Sequence, residues 1–327
     1  MTGTGRRVAP RFTRILALAA TALTMLFMVG CASVGPSTET AASAALPAHV
    51  ELKHVPFFAQ EQHQCGPASL AMALGAAGYP ASPKDLEQMV FLPDREGSLQ
   101  TEMLVAARRR GALAYVIRPN FDAVLAELAA GRPVVVLQNL GLSFATRWHY
   151  AVAIGYDRPS QQMILHSGTT ERELMNYRTF GHTWGRSNHW AMVILQPGQL
   201  PLQADVPELE KALAALEKYA DPKQMVGHYE AASQRWPDNY LFRMGLGINA
   251  YNAGELDIAE RAFRTVTEMK PDNTAALNNL ATVLQDLGRL DEALAIADKA
   301  VAHGDQWQSQ ALATRDGIRQ AMQKRRQ

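Results

Sequence analysis

The residues best suited to covalent chemistry surround Cys65, in the stretch Gln60-Glu-Gln-His-Gln-Cys-Gly-Pro-Ala-Ser69. An apolar run predicts a helix from Ala68 to Ala77, just after Cys65, and Pro67 suits a first helical turn. A thiol at a helix N-terminus faces unpaired N–H groups and the positive end of the helix dipole, which stabilise the thiolate. Because the thiolate is the nucleophilic form, this position predicts a reactive cysteine.

A candidate base lies further along the chain. His149 begins the stretch His-Tyr-Ala-Val-Ala-Ile-Gly-Tyr-Asp157, whose apolar residues predict a buried strand. A histidine beside the thiol would take its proton during attack and return one to the leaving amine. The alternative is that Cys65 packs as a small apolar side chain, as lone cysteines usually do, and that His149 is structural.

Together, these two segments resemble the papain-like cysteine peptidases of the bacteriocin-leader (double-glycine) processing type and their exported relatives. The family signature, a Gln shortly before Cys-Gly-Pro-Ala-Ser/Ala-Leu, is matched by Gln60 and residues 65–70. The later His at the head of a strand ending Gly-Tyr-Asp is matched by His149. The resemblance implies peptide-bond hydrolysis, with the Gln60 amide and the Cys65 N–H stabilising the oxyanion. Gln62 and Gln64 compete for this role, and Gln60 has the spacing of the family.

One position departs from this family, which usually has an Asp on the strand after the His. Folding a hairpin over residues 157–162 brings Ser167 to that place. Serine can accept a hydrogen bond from the imidazole but carries no charge. Asp157 lies about 27 Å from His149 along an extended strand and cannot substitute. We therefore expect either a slow peptidase or a third group recruited from elsewhere in the domain.

The elements that must position this pair fall within residues 51–197. Helices are expected at 83–90 with Ser82 as cap, at 98–110, and at 121–130 with Asn120 as cap. Strands are expected at 114–118, 133–138, 149–156, 163–166 and 189–195. Because helices come first and strands later, the order predicts an α+β domain with an antiparallel sheet. The other histidines match no zinc spacing, so neither a metal nor a cofactor is expected.

An aromatic group follows the predicted strands and is expected to form core or a cleft wall, not a cofactor site. Its members are Trp148, Tyr177, Phe180, Trp184 and Trp190.

A second domain, residues 206–320, carries an internal repeat. Pro-Asp-Asn at 237–239 recurs at 271–273, a spacing that matches the period of about 34 residues typical of tetratricopeptide repeats. About three units are expected, the first degenerate at about 206–239. Stacked helical repeats present a concave face, so we expect a protein or peptide partner there.

The N-terminus has the pattern of an export signal. Four arginines precede the apolar run from Ile15 to Val29, which at about 15 residues is short for a membrane-spanning helix. The ending Met-Val-Gly-Cys31 resembles the lipobox of bacterial lipoproteins. This implies a signal peptide at 1–30, lipid on Cys31, and membrane attachment; Ala32 favours the outer membrane, facing the periplasm. Alternatives are a plain cleaved signal or an uncleaved anchor. Residues 31–50 then form a lipidated, flexible tether.

Composition narrows the functional choices. A net charge of +1 does not favour nucleic acid as a partner. With Cys31 lipidated, Cys65 is the remaining cysteine of the two, and a free thiol is a liability in an exported protein. Three functions stay open: an anchored peptidase, a non-catalytic scaffold acting through its repeats, and an acyl transferase or amidase that uses the same thioester.

Overall fold

The computed structural model describes residues 3, 45–59, 64–92, 97–142, 144–304 and 306–327. Apart from residue 3, the predicted signal peptide lies outside these ranges, and so do Cys31 and Gln60. Within them, no helix combines the length and the hydropathy needed to cross a bilayer.

The first part of the chain mixes short helices and strands. The helices are α1 (Cys65–Ala76), α2 (Pro83–Val90), α3 (Gln100–Arg109), α4 (Phe121–Ala129) and α5 (Tyr177–Gly185). The strands are β1 (His49–Glu51), β2 (Phe91–Leu92), β3 (Gly97–Ser98), β4 (Leu113–Val116), β5 (Val134–Asn139), β6 (Trp148–Asp157), β7 (Gln162–Ser167), β8 (Thr170–Asn176) and β9 (Ala191–Leu195).

Seven of the described strands form one antiparallel sheet, which confirms the predicted α+β class. The strand order is β4-β9-β5-β6-β7-β8, with β1 paired to the far end of β6. The pairing of β1 requires Gly155, because a Cβ there would lie 2.2 Å from the carbonyl oxygen of Val50. All six residues of β5 are buried, which places this strand in the middle of the core.

Several helices begin where the sequence predicts a cap. The Ser82 hydroxyl accepts a hydrogen bond from Asp85 N–H at 3.2 Å, and Asn120 Oδ1 accepts one from Ala123 N–H at 2.8 Å. Helix α1 has no side-chain cap and begins at Cys65, three residues before the predicted start. Cys65 therefore lies in the first helical turn, not in the loop before it.

Helix α1 is apolar on every side because it packs inside the domain, where it contacts β5, β6 and β9. Leu70, Met72 and Leu74 have no exposed surface. Such a helix holds its N-terminus, and hence Cys65, at a fixed place above the sheet.

Five described elements of this part were not expected from the sequence: the short strands β1, β2 and β3, and also β8 and α5, which both lie between residues 167 and 189. Strand β8 is an edge strand whose side chains are mostly exposed and which has three consecutive charged residues at 171–173, so it lacks the apolar alternation that predicts a strand. Helix α5, with sequence YRTFGHTWG, contains two glycines, three aromatic residues and a histidine, all of which are weak helix formers. Its N-terminus is nevertheless capped, since Asn176 Oδ1 accepts a hydrogen bond from Thr179 N–H at 2.8 Å.

The second part of the chain is entirely helical, as the repeat period predicts. The helices are α6 (Val206–Leu216), α7 (Pro222–Arg235), α8 (Tyr240–Asn252), α9 (Leu256–Met269), α10 (Thr274–Asp286), α11 (Leu290–His303) and α12 (Gln308–Arg326). Each of these helices packs against the next one in the chain. Gly247 permits one close approach, because a Cβ there would lie 2.6 Å from the Phe263 ring.

A short connector, residues 196–205, joins β9 to α6 and is bonded to both parts. The connector is bonded to a buried ion pair, in which Arg132 Nε lies 2.6 Å from Glu127 Oε2. Leu202 N–H donates to Glu127 at 2.8 Å, and Arg132 donates to Leu200 O at 3.1 Å. Arg235 of α7 donates to Leu202 O at 2.6 Å. The connector thus links the sheet domain to the repeats through hydrogen bonds.

Candidate active site

Cys65 lies where the start of α1 meets the start of β6. Its side chain is partly buried, and its sulfur accepts hydrogen bonds from the backbone N–H groups of Tyr150 and Gly66. Tyr150 directly follows His149, so α1 and β6 bring the predicted nucleophile beside the predicted base. The two residues are 84 positions apart in the sequence, and only the fold brings them together.

Burial raises the pKa of the Cys65 thiol, although the N–H groups of Tyr150, Gly66 and Cys65 itself lower it. The expectation of a thiolate stabilised by the helix N-terminus is therefore wrong for the unliganded site. The physical reason is that partial removal from water costs the anion more than three backbone donors return. The sequence shows the helix start but not how deeply the sulfur lies.

Gly66 brings a third element to the site. A Cβ at this position would lie 2.2 Å from the Ser98 Oγ, so only glycine fits against β3. The Tyr150 hydroxyl donates to the Ser98 carbonyl oxygen at 3.2 Å. The glycine of the Cys-Gly-Pro motif therefore permits the contact between α1 and β3 that adjoins Cys65.

His149 is the second residue of β6 and pairs in register with Gln138 of β5. Its Nε2 lies 3.1 Å from Ser167 Oγ. This contact leaves Nδ1 as the ring nitrogen available to a thiol. Burial lowers the pKa of His149, Glu173 raises it, and Arg147 lowers it. In the unliganded protein, burial thus favours a neutral imidazole beside a neutral thiol.

Ser167 ends β7 and lies at the position that the hairpin argument gave it. It is 8% exposed and bonds to His149 across two adjacent strands. A hydroxyl fixes the plane of the imidazole ring, as a carboxylate would. It supplies no charge, so it stabilises an imidazolium less than a carboxylate would.

Aromatic side chains beside the site divide into two groups. Tyr177, Phe180 and Trp184 are buried and form core. Trp190 is half-buried, and its ring centroid lies 5.8 Å from that of Tyr150, next to the nucleophile and base. Trp148 is 49% exposed at the start of β6. Tyr177, Phe180 and Trp184 therefore confirm the predicted core, and the cleft wall stays a prediction for Trp148 and Trp190.

His166 holds together the segments around the site. Its Nε2 lies 3.3 Å from the carbonyl oxygen of Val55, and its Nδ1 contacts the carbonyl oxygen of Glu171. The ring therefore connects the segment that leads toward Gln60 with β8. In the part of the chain that the structure describes, no three His, Cys, Asp or Glu side chains converge as metal ligands.

Two family models match parts of the chain. Residues 52–192 match the sequence model of the Peptidase_C39 like family, and residues 246–311 match that of the tetratricopeptide repeat. No curated protein matches the chain.

Solved structures resemble each half at low identity. A C39-like peptidase from Bacillus anthracis is 17% identical, with 46% of this chain and 98% of that chain covered and a TM-score of 0.39. A double-glycine motif protease from an AMS/PCAT transporter, solved with its leader peptide, is 20% identical, with 44% and 93% covered and a TM-score of 0.33. The Yersinia enterocolitica translocator chaperone SycD is 15% identical, with 36% and 86% covered and a TM-score of 0.34. The family matches show that this chain joins a Peptidase_C39-like domain to tetratricopeptide repeats.

Proposed function

We propose that this protein is a membrane-anchored cysteine peptidase that cleaves peptide bonds through a thioester on Cys65. One arrangement supports the proposal above the rest. The Cys65 sulfur accepts the N–H of Tyr150, and the adjacent His149 is held by Ser167 at 3.1 Å. A nucleophile, a base and a group that orients the base thus meet at one end of the sheet.

Chemistry begins from the neutral pair that burial favours. The Cys65 proton passes to His149 as the sulfur attacks the substrate carbonyl carbon and its oxygen becomes an oxyanion. The Cys65 N–H and, in this proposal, the Gln60 side-chain amide donate hydrogen bonds to that oxyanion. When the intermediate collapses, the C–N bond breaks, and His149 gives its proton to the leaving amine. Water then attacks the thioester while His149 takes its proton. The C–S bond breaks, the carboxylic acid leaves, and His149 returns the proton to the Cys65 sulfur.

The repeats, in this proposal, hold the substrate or a partner protein. A cavity of about 320 Å³ lies between α8, α9 and α10. It combines apolar and amide side chains: Ile248, Tyr251, Asn252, Phe263, Asn279 and Thr282. Such a mixture suits an extended peptide, whose backbone bonds to amides while its side chains fill apolar space.

We further propose that lipid on Cys31 anchors the protein to the outer membrane, facing the periplasm. The support is the Met-Val-Gly-Cys31 sequence after the apolar run. Metabolic labelling with a fatty-acid analogue tests it: label should appear in the wild type and vanish in Cys31→Ala. Label that persists in the variant would refute the anchor.

The decisive experiment for the enzymatic proposal is covalent labelling of Cys65 by a peptide electrophile, mapped by mass spectrometry. We expect stoichiometric labelling at neutral pH and a rate loss of about 100-fold or more in His149→Ala, the range attributed to a positioned base. His182→Ala, an exposed histidine on α5, is the matched control and should label like the wild type. If Cys65 labels no faster than free cysteine, the proposal fails.

A second candidate is a peptidase-like scaffold without catalysis. The specific observations in its favour are the uncharged Ser167 and the raised pKa of Cys65. It predicts that Cys65→Ala binds the same partners as the wild type and that no peptide product forms. An acyl transferase would share the thioester, and added amine would then appear in the product.

A further inference from the structure

The edge strand β8 brings a carboxylate to the face of the sheet that carries the proposed base. Leu165 pairs with Glu173, and Ser167 pairs with Thr170, with a bulge between the two pairs. Since side chains alternate along β7, Leu165 and Ser167 share a face, and the register places Glu173 on it too. The bond from His149 to Ser167 shows that His149 uses the same face.

Glu173 is the diagonal neighbour of Ser167 across the β7–β8 pair. Such neighbours are roughly 7–8 Å apart at the backbone, within reach of a long side chain. Aspartate at position 167 would contact the imidazole directly. Glu173 lies on β8, so the strand β7 separates its backbone from that of His149.

The segment before Glu173 is fixed at two points. The carbonyl oxygen of Glu171 contacts His166, and the guanidinium of Arg172 donates to both carboxylate oxygens of Glu51, at 2.9 and 3.0 Å. The Glu173 carboxylate has no hydrogen bond or ion pair of its own within the described ranges. The backbone of Glu171 and the side chain of Arg172 therefore hold β8 in place beside the bulge. The carboxylate of Glu173 is not used in these contacts.

Two charged groups act on His149, and the Cys65 sulfur accepts the N–H of Tyr150, the residue that follows His149. Arg147 lies on the segment leading into β6, and Glu173 lies on β8. Burial lowers the pKa of His149 and Arg147 adds to this effect, whereas Glu173 raises the pKa. Glu173 is the negative charge among them.

We infer that Glu173 is a positioning residue that supplies, from β8, the negative charge that Ser167 lacks. The inference rests on the proposed peptidase function. The carboxylate stabilises the imidazolium that forms when Cys65 gives its proton to His149. Ser167 fixes the ring plane and Glu173 supplies the charge, so the two tasks of one aspartate are divided between two strands.

The test is the rate of Cys65 alkylation by iodoacetamide, measured from pH 5.5 to 9.5 in the full-length protein. In Glu173→Gln, we expect the rate near pH 6.5 to fall about tenfold, equivalent to one pKa unit of ion-pair stability. The rate should approach that of the wild type at the alkaline end, because the thiolate there forms without an imidazolium. Glu171→Gln, on the same strand, is the matched control and should follow the wild-type profile.

A second substitution distinguishes an electrostatic role of Glu173 from a structural one. Ser167→Asp introduced into Glu173→Gln places a carboxylate against His149 and should restore the rate near pH 6.5. A purely structural role for Glu173 would slow alkylation equally at every pH and would not respond to Ser167→Asp. Either a wild-type profile in Glu173→Gln or an absence of rescue overturns the inference. Wild-type Cys65 that reacts no faster than free cysteine would instead overturn the proposed function itself.

Discussion

His228 makes the stability of the repeats depend on pH, and replacing it with leucine should remove that dependence. This residue belongs to α7, and its side chain is fully buried. Burial lowers the pKa of His228 to about 4, and the backbone of Gln199 offsets part of the effect. The folded protein therefore holds this ring neutral at pH values where the unfolded chain protonates it.

The magnitude follows from linkage. As pH falls below 6.5, the unfolded chain gains a proton that the folded protein accepts only near pH 4, so stability is lost across that window. Each pH unit between these values removes about 1.4 kcal/mol, which gives about 2 kcal/mol by pH 5 and about 3 kcal/mol in full. At pH 7 the ring is neutral in both states and contributes nothing to this term.

Urea unfolding at pH 7 and pH 5 measures the effect as a difference between variants. His228→Leu should lose about 2 kcal/mol less stability than the wild type between these two pH values. His303→Leu makes the same change at an exposed position of α11 and should keep the wild-type pH dependence. Equal acid sensitivity in the wild type and His228→Leu would refute the assignment of this effect to His228.

Four further substitutions test packing and one buried ion pair. Gly66→Ala should slow labelling of Cys65 about 100-fold while the protein stays folded, because the added methyl displaces the start of α1 from Ser98; a wild-type rate would contradict this. Gly247→Ala should cost about 1–3 kcal/mol in urea unfolding through overpacking, whereas Gly317→Ala, in open space on α12, should gain about 0.5–1 kcal/mol; equal effects would contradict the packing argument. Glu127→Gln should cost about 3 kcal/mol by leaving a buried guanidinium unpaired; unchanged unfolding would show that the ion pair does not stabilise the fold.

The sequence predicts most of the architecture, because its strongest signals are local and periodic. Apolar runs and caps place the helices that begin after Ser82 and Asn120, and the 34-residue period identifies the repeats. Hairpin geometry alone brings Ser167 beside His149. These features depend on neighbours in the chain or on simple register, which a sequence displays directly.

The sequence does not show how deeply a side chain is buried, nor which strand forms the edge of the sheet. The sequence around a cysteine at the start of an apolar helix is the same whether its sulfur is exposed or buried. The predicted lowering of the Cys65 pKa is therefore wrong, since burial raises it. Strand β8 has one face in solvent and charged residues on both, so no alternation marks it. Missing β8 meant missing Glu173, since its relation to His149 exists only through the pairing of β7 with β8.

The connector changes where this protein can be divided. The family match ends at residue 192, yet the buried pair of Glu127 and Arg132 is completed by backbone groups of residues 200 and 202. A chain that ends at the family boundary would keep this ion pair but lose the backbone groups of Leu200 and Leu202 that bond to it, and the connector that Arg235 binds would no longer be part of the chain. The peptidase-like part is therefore not an interchangeable module. Transplanting it to another carrier requires residues 193–205 to travel with it, together with a helix able to take the place of α7.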